Sequence, residues 1–225
     1  MQYLQTQEGR TVMKQQNETK NTLQNKNGRN DRILLIVTAA LFAALVYVTT
    51  MISIPMPRGN LNFGEACVLL SGLIVGPFGA FSAAIGATLA DVTSGYMHYA
   101  PATMVIKFLT AGCACFLHIL FKKISGTENP FKKKETGAPA AEHKTKKNGI
   151  IAAVIAGILS EIIMVVGYYL YELLLSSSPA VALTTIPGNL TQALTGIVAA
   201  GIIYALIPEK WKARIADIRI AGKKK

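Results

Sequence analysis

Apolar positions along this chain are grouped into six segments, which polar or basic stretches separate. Four of them have at least about the 20 residues that a helix needs to cross the hydrocarbon core of a bilayer. The other two have about fifteen and thirteen residues, and Gly76-Pro77 lies between them. The pattern predicts an all-α, polytopic membrane protein with six transmembrane helices, at residues 33–54, 61–75, 78–90, 101–121, 149–175 and 188–207.

Basic residues are distributed so unevenly that they orient this bundle. Of the 23 Lys and Arg residues, six lie in 1–32, eight in 122–147 and seven in 208–225. Cytoplasmic segments are enriched in Lys and Arg, so all three are predicted to be cytoplasmic, including both termini. An even number of crossings must then separate 1–32 from 122–147, which requires 61–75 and 78–90 to cross separately. Residues 1–32 are predicted to be a disordered tail, and 208–225 to lie on the inner membrane surface.

Composition agrees with a membrane domain at 33–207, since 51% of the residues are apolar, 16% are charged and the mean hydropathy is +0.37. The net charge of +11 comes from the basic segments, which lack the interleaved aromatic residues of a nucleic-acid-binding face. No catalytic, nucleotide-binding or metal-ligand motif is recognised, so neither an enzyme nor a cofactor in this chain is expected. The three cysteines lie in apolar surroundings and are interpreted as buried small side chains.

Polar residues outside the basic segments occur mainly at the predicted outer ends of the six helices. Polar groups in a membrane segment must face each other or a cavity, because lipid cannot solvate them. Their convergence on an apolar background predicts a pocket for a small polar molecule. The candidate binding residues are Asn60, Asn62, Glu65, Asp91, Lys107, Tyr168, Glu172, Asn189 and Gln192.

Several of these residues have a second, structural interpretation. Asp91 and Lys107 also fit a buried ion pair that fixes helix packing, and Glu65 fits a carboxylate at a helix N-terminus. Asn189 also fits a cap of the last helix, and the tyrosines fit an interfacial belt. Glu161, which lies deeper in its helix, is interpreted as a structural or protonated carboxyl group rather than as a ligand contact.

Small residues in the first segment predict a close helix contact. Ala39 and Ala43, and likewise Ala40 and Ala44, form overlapping small-xxx-small pairs. Such pairs fit either packing inside this chain or docking to a partner membrane subunit.

Taken as a set, the motifs resemble the S components of energy-coupling factor (ECF) vitamin transporters. They are A-x-x-x-A in the first helix, N-x-N-F-G-E, G-P-F-G, G-A-T-L-A-D, P-A-T-x-x-I-K, G-Y-Y-L-Y-E and P-G-N-L-T-Q. The resemblance covers about residues 33–207 and is greatest for the hydroxymethylpyrimidine- and pyridoxine-type subgroup. The polar tail and the Lys-rich loop at 122–147 are not part of the family's pattern.

The resemblance implies a six-helix bundle that binds a water-soluble vitamin or precursor at the extracellular side. It implies docking, through the first three helices and the four alanines above, to a transmembrane coupling subunit that carries two ATPase subunits. It also implies a bacterial plasma membrane. The alternatives are a self-sufficient proton- or sodium-coupled transporter and a structural membrane protein without a ligand. Which vitamin is bound cannot be read from the sequence.

Overall fold

The computed structural model describes residues 28–55, 60–125 and 139–221. Most of the predicted tail, part of the Lys-rich loop and residues 222–225 lie outside these ranges. Eight helices and two short strands follow one another along the described chain. They are α1 (Gly28–Met51), β1 (Ser53–Pro55), β2 (Asn60–Asn62), α2 (Gly64–Leu70), α3 (Pro77–Thr93), α4 (Ala100–Ile124), α5 (Pro139–Ser176), α6 (Pro179–Leu183), α7 (Ile186–Leu206) and α8 (Glu209–Ala221).

Helix α2 is the centre of the bundle, and it continues into a wider π-helical turn at Ser71–Val75. Nearly every residue of this continuous element is buried. The main apolar core gathers around it, with contributions from α1, α4, α5, α7 and α8. A helix that is apolar on all sides must be enclosed by others, which explains why this short segment lies innermost.

The chain reverses direction between α2 and α3, as the Gly-Pro pair predicts. Gly76 has φ 77°, a conformation that glycine adopts without steric cost, and Pro77 then begins α3. Ser71 Oγ donates a hydrogen bond to Gly79 O across the turn, at 3.0 Å. A Cβ atom at position 79 would overlap the Ser71 carbonyl group, so the two helices can pack this closely only with glycine there.

The remaining long helices surround this hairpin. Helix α4 packs between α3 and α5, and α7 packs against both α2 and α5. Helix α1 lies on α3, where Ser82 Oγ donates to Ala39 O at 2.7 Å. Large apolar side chains cover the outward faces of α1, α3, α4, α5 and α7. Apolar outer faces of this extent are what lipid contact requires.

Four helices are long and apolar enough to cross a membrane, namely Gly28–Met51, Ala100–Ile124, Lys147–Ser176 and Pro179–Leu206. The first arm of the central hairpin, Gly64–Val75, is a shorter apolar helix, so the count of six crossings stays a prediction.

The structure differs from the sequence predictions in three places. β1 and β2 pair as an antiparallel ladder, with Ser53 opposite Asn62, where only a proline-ended helix was expected. The predicted outer loop after α5 contains the short helix α6, and α5 itself begins at Pro139, inside the predicted Lys-rich loop. The strands have only three residues each, which is too short for an alternating pattern to be recognised.

The C-terminal segment is more tightly attached than expected. Helix α8 packs on the π-helical turn, and Ile218 is part of the main core. Lys212 lies over the Tyr204 ring, 4.0 Å from its centre, and Tyr204 is within 3.1 Å of His118 Nε2. These contacts place α8 at the end of the bundle where α2 finishes and α3 begins.

Candidate binding cavity

A cavity of about 640 Å³ opens at one end of the bundle, which we call the outer end. This is the end where α2, α4 and α7 begin and where α1, α3 and α5 finish. Its volume is typical of a site for a drug-sized ligand. Eight of the nine candidate binding residues line it, namely Asn62, Glu65, Asp91, Lys107, Tyr168, Glu172, Asn189 and Gln192. The ninth, Asn60, lies in β2, and its side chain is outside the described part of the structure.

A buried ion pair forms the floor of this cavity. Lys107 Nζ contacts Glu65 Oε1, and these residues are only 5% and 1% exposed. Gln192 Nε2 donates a second hydrogen bond to the same oxygen, at 3.0 Å. The sequence interpretation that paired Lys107 with Asp91 is therefore wrong, because the nearer partner is supplied by α2, whose first turn faces α4.

Local geometry explains how a carboxylate is accommodated there. Glu65 lies in the first turn of α2, where the free backbone N–H groups favour a negative charge. Helix α7 approaches α2 so closely that a Cβ atom at Gly196 would collide with the Glu65 side chain. Gln192 is one turn before this glycine, so the close approach also brings its amide to the carboxylate.

The side of the cavity formed by α4 and α5 is a network of tyrosines. Tyr99, Thr103 and Lys107 follow one another at four-residue intervals and therefore share one face of α4. Tyr99 donates to the Glu172 carboxylate, and Thr103 Oγ1 is 2.9 Å from the Tyr168 hydroxyl. Lys107 Nζ lies 5.1 Å from the centre of the Tyr168 ring. Tyr168 is thus a wall of the cavity rather than part of an outward-facing aromatic belt.

Tyr99 precedes α4 and lies outside the membrane-spanning helices. Burial raises the pKa of its phenol, and the hydrogen bond to Glu172 raises it further. The hydroxyl group therefore stays protonated and remains a donor across the physiological pH range.

Three carboxyl groups, those of Glu65, Asp91 and Glu161, have at least one oxygen without a hydrogen-bond partner in the described part of the chain. Asp91 lines the cavity from α3, and its Oδ2 is buried and unpartnered. Glu161 lies two helical turns below Tyr168, is 2% exposed and has neither oxygen hydrogen-bonded. It does not line the cavity, but it interacts electrostatically with Lys107.

The two remaining amides differ in their roles. Asn62 Oδ1 accepts a hydrogen bond from the Gly64 N–H at 2.9 Å, which fixes the chain as it enters α2. Asn189 does not cap α7, since the helix begins at Ile186 and Thr185 holds the cap position without a side-chain hydrogen bond. Asn189 instead lies inside the first turn and lines the cavity.

Several lining residues were not among the candidates. Thr50, Ser53, Ser94, Tyr96, Tyr99, Thr103, Thr184 and Thr185 also border the cavity. The spacing of Tyr99 and Thr103 before Lys107 is a signal that could have found two of them. The others lie next to turns and strands that the pattern did not reveal.

The four alanines of α1 divide into two pairs. Ala39 and Ala43 are half-buried, and their carbonyl oxygens lie next to Ser82 and Gly86 of α3. Ala40 and Ala44 are exposed on the outer face of α1. Docking to a partner subunit therefore stays a prediction, with the exposed pair as the free surface for it.

Among the described residues, no three His, Cys, Asp or Glu side chains lie close enough to one another to hold a metal ion.

Comparison with known families gives this cavity a context. The sequence model of the family described as "ECF-type riboflavin transporter, S component" matches residues 30–209, well over half of the chain. This chain belongs to that family. S components bind a small vitamin-like ligand and work with other ECF subunits, and the apolar helices of this chain fit a membrane transport protein.

Similarities to individual proteins were also found. A solved S component of a bacterial ECF transporter shares 20% identity and a TM-score of 0.48, over 77% of this chain and 94% of that one. An uncharacterized protein of Pyrococcus woesei, encoded in the gap 3′ region, is 46% identical over 66 residues. That stretch is 28% of this S component and 44% of the relative, so the chain spans less than half of the relative's length.

Proposed function

We propose that this S component is the substrate-binding subunit of an ATP-driven ECF importer and captures a water-soluble vitamin or vitamin precursor at the extracellular side. The observation that carries the proposal is the cavity, in which Glu65, Asp91, Lys107 and Gln192 converge from four different helices. Scarce polar groups gathered around a space of ligand size, in an otherwise apolar bundle, are characteristic of a binding site.

Charge supports an outward-facing cavity. Lys122, Lys123, Lys147 and Lys210 lie at the opposite end of the bundle. The positive-inside rule assigns that end to the cytoplasm. With the central hairpin crossing twice, the chain has six crossings, and both termini are cytoplasmic.

The lining favours a small aromatic heterocycle. Tyr96, Tyr99 and Tyr168 offer ring faces or edges for stacking, and amide, hydroxyl and carboxyl groups lie at the rim. Pyrimidine-, pyridoxine-, riboflavin- and thiamine-like compounds all have this character. The hydroxymethylpyrimidine- and pyridoxine-type subgroup, which the motifs resemble most, is our first choice within this set.

Energy for uptake would come from other chains. The sequence carries no nucleotide-binding P-loop. We therefore assign ATP hydrolysis to two ATPase subunits, joined through a transmembrane coupling subunit that docks on α1 to α3. The exposed Ala40 and Ala44 allow another helix to approach α1 closely.

Glu161 favours a second candidate function, a self-sufficient secondary transporter. The Glu161 carboxyl group is buried, neither oxygen has a hydrogen-bond partner among the described residues, and such a group can carry a proton through a membrane protein. The two functions differ in a liposome assay with the purified chain alone. Uptake driven by an imposed proton gradient would favour the secondary transporter, whereas binding without uptake is expected for the S component.

The proposed function is tested by binding to the purified chain. A panel of water-soluble vitamins and precursors is screened by thermal shift, and the strongest ligand is then titrated by calorimetry. Asp91→Asn and Glu65→Gln are expected to weaken its binding at least about tenfold, since each removes a charged hydrogen-bond acceptor. Asp31→Asn, the same type of change at the opposite end of the bundle, is the control. Unchanged affinity in both cavity variants would contradict this site.

A further inference from the structure

The cavity has a marked imbalance between acidic and basic groups. Its described lining includes three carboxyl groups, on Glu65, Asp91 and Glu172, and one ammonium group, on Lys107. That ammonium group is already paired with Glu65. A ligand entering the cavity therefore meets an excess of negative charge, and the lysine is not free to neutralise an anion.

Hydrogen-bonding capacity is unbalanced in the same direction. Tyr99 donates to Glu172, and Gln192 donates to Glu65 Oε1. Glu65 Oε2 and Asp91 Oδ2 are both buried and have no partner in the described part of the chain. Around the carboxyl groups, the donors are thus engaged while acceptor oxygens are left over. A buried polar atom of this kind is satisfied only when a ligand or water donates to it.

We propose that the cavity selects ligands by charge and accepts a cationic or amine-bearing aromatic heterocycle rather than an anionic one. This inference rests on the proposed function and narrows its substrate class. An amino or ammonium group donates to the free carboxyl oxygens and is attracted by the acidic lining. A carboxylate or phosphate substituent would be desolvated beside like charges, which is unfavourable in a low-dielectric site. Cationic and anionic heterocycles can both stack on Tyr168 and Tyr99, so the cavity distinguishes the two classes by their charged substituent.

The experiment compares ligands that share a ring and differ in one substituent. Pyridoxamine, pyridoxine and 4-pyridoxic acid carry an aminomethyl, a hydroxymethyl and a carboxyl group at the same position. The 5-aminomethyl, 5-hydroxymethyl and 5-carboxy derivatives of 4-amino-2-methylpyrimidine form a second series. Affinities for the purified full-length chain are measured by calorimetry. In at least one series, the amine is expected to bind about tenfold or more tightly than the acid.

Asp91→Asn tests whether the cavity is the source of this preference. The variant is expected to reduce the ratio of amine to acid affinity by about tenfold, because one lining charge is removed. Asp31 is paired with Arg214 outside the cavity, so Asp31→Asn is expected to leave the ratio of amine to acid affinity unchanged. The hydroxymethyl compound reports whether the variant site is intact, since its neutral substituent responds least to the lost charge.

The outcomes separate the inference from the function on which it rests. Equal or tighter binding of an acid, or tighter binding of neutral riboflavin than of either amine, would overturn the charge selection while leaving a vitamin-binding subunit in place. An unchanged affinity ratio in Asp91→Asn would do the same. If no compound of either series and no vitamin binds the folded protein, the proposed function fails and the inference fails with it.

Discussion

Replacement of Lys107 by methionine is the substitution with the clearest expected effect on stability. Lys107 and Glu65 are among the most buried charged residues in the described chain, at 5% and 1% exposure. Methionine has about the same length as the lysine stem, so packing is largely kept while the charge is lost. The substitution leaves the Glu65 carboxylate buried, with the Gln192 amide as its one remaining side-chain donor among the described residues.

The expected cost follows from this arrangement. Removing one partner of a buried ion pair destabilises a protein by about 3–5 kcal/mol, because the remaining charge is uncompensated. For a chain of this size, a loss of about 3 kcal/mol corresponds to a fall in Tm of about 6–12 °C. Glu65→Gln should cost less, roughly 1–2 kcal/mol, because Lys107 keeps its electrostatic interaction with Glu161.

The double variant Lys107→Met/Glu65→Gln completes a thermodynamic cycle. With both charges removed, about 2 kcal/mol of the loss in Lys107→Met should be recovered, since no unpaired carboxylate remains at this position. Unfolding is followed by heating the detergent-purified protein without added ligand. Lys210→Met, at an exposed position near the inner end, is the matched control and should change stability by less than about 0.5 kcal/mol.

Two results would refute this reasoning. If Glu65→Gln is as damaging as Lys107→Met, then Glu161 does not act as a second partner of the lysine. If the double variant is no more stable than Lys107→Met, the ion pair does not account for the loss.

Two other predictions test the fold and its orientation. Gly79→Ala should destabilise the protein by about 1–3 kcal/mol, because the added methyl group would overlap the Ser71 carbonyl group. Gly112→Ala, whose methyl group would meet its nearest neighbour at 3.8 Å, should be neutral or slightly stabilising, and thermal unfolding of the two variants checks the difference. In a cysteine-free background, Ser94→Cys should react with a membrane-impermeant thiol reagent in intact cells, whereas Trp211→Cys should react only after lysis. Labelling of both positions from outside would contradict six crossings.

The sequence was sufficient to predict the long helices and most of the cavity lining, for a physical reason. In a membrane protein, a polar residue within an apolar segment is costly unless it faces other polar groups. Position along a helix then fixes the level of that residue in the bilayer. Glu65, Lys107 and Gln192 could therefore be assigned to one level before any contact was known.

The pairing of these groups could not be predicted, because it depends on rotation of the helices about their axes. Asp91 and Glu65 both lie near the level of Lys107, and only the packing of α2 against α4 and α7 decides between them. That packing is set by contacts such as the one between Gly196 and Glu65, two residues that lie more than 100 positions apart in the sequence. A single sequence contains no direct signal for such a contact.

The elements that were missed are short and depend on their surroundings. β1 and β2 are held by pairing with each other, and α6 has only five residues. Helix α8 has a mixed pattern of charged and apolar residues, so a surface location and a docked one fit its sequence equally well. Its contact with the π-helical turn is tertiary, and local propensity carries little information about it.

Helix α2 links the stability of this protein to ligand binding. Together with its π-helical turn it contributes residues such as Leu69 and Leu73 to the main core, and it also carries Glu65. A buried carboxyl oxygen without a donor costs about 1–3 kcal/mol, so Glu65 Oε2 and Asp91 Oδ2 lower the stability of the bundle. A ligand that donates to them reverses part of this cost and adds about 2.7 kcal/mol of stability when present at 100 times its Kd. Contacts with these two oxygens lower the Kd, so a compound that reaches them should produce a larger change in Tm than a compound that binds only at the exposed rim, when both are compared at the same concentration.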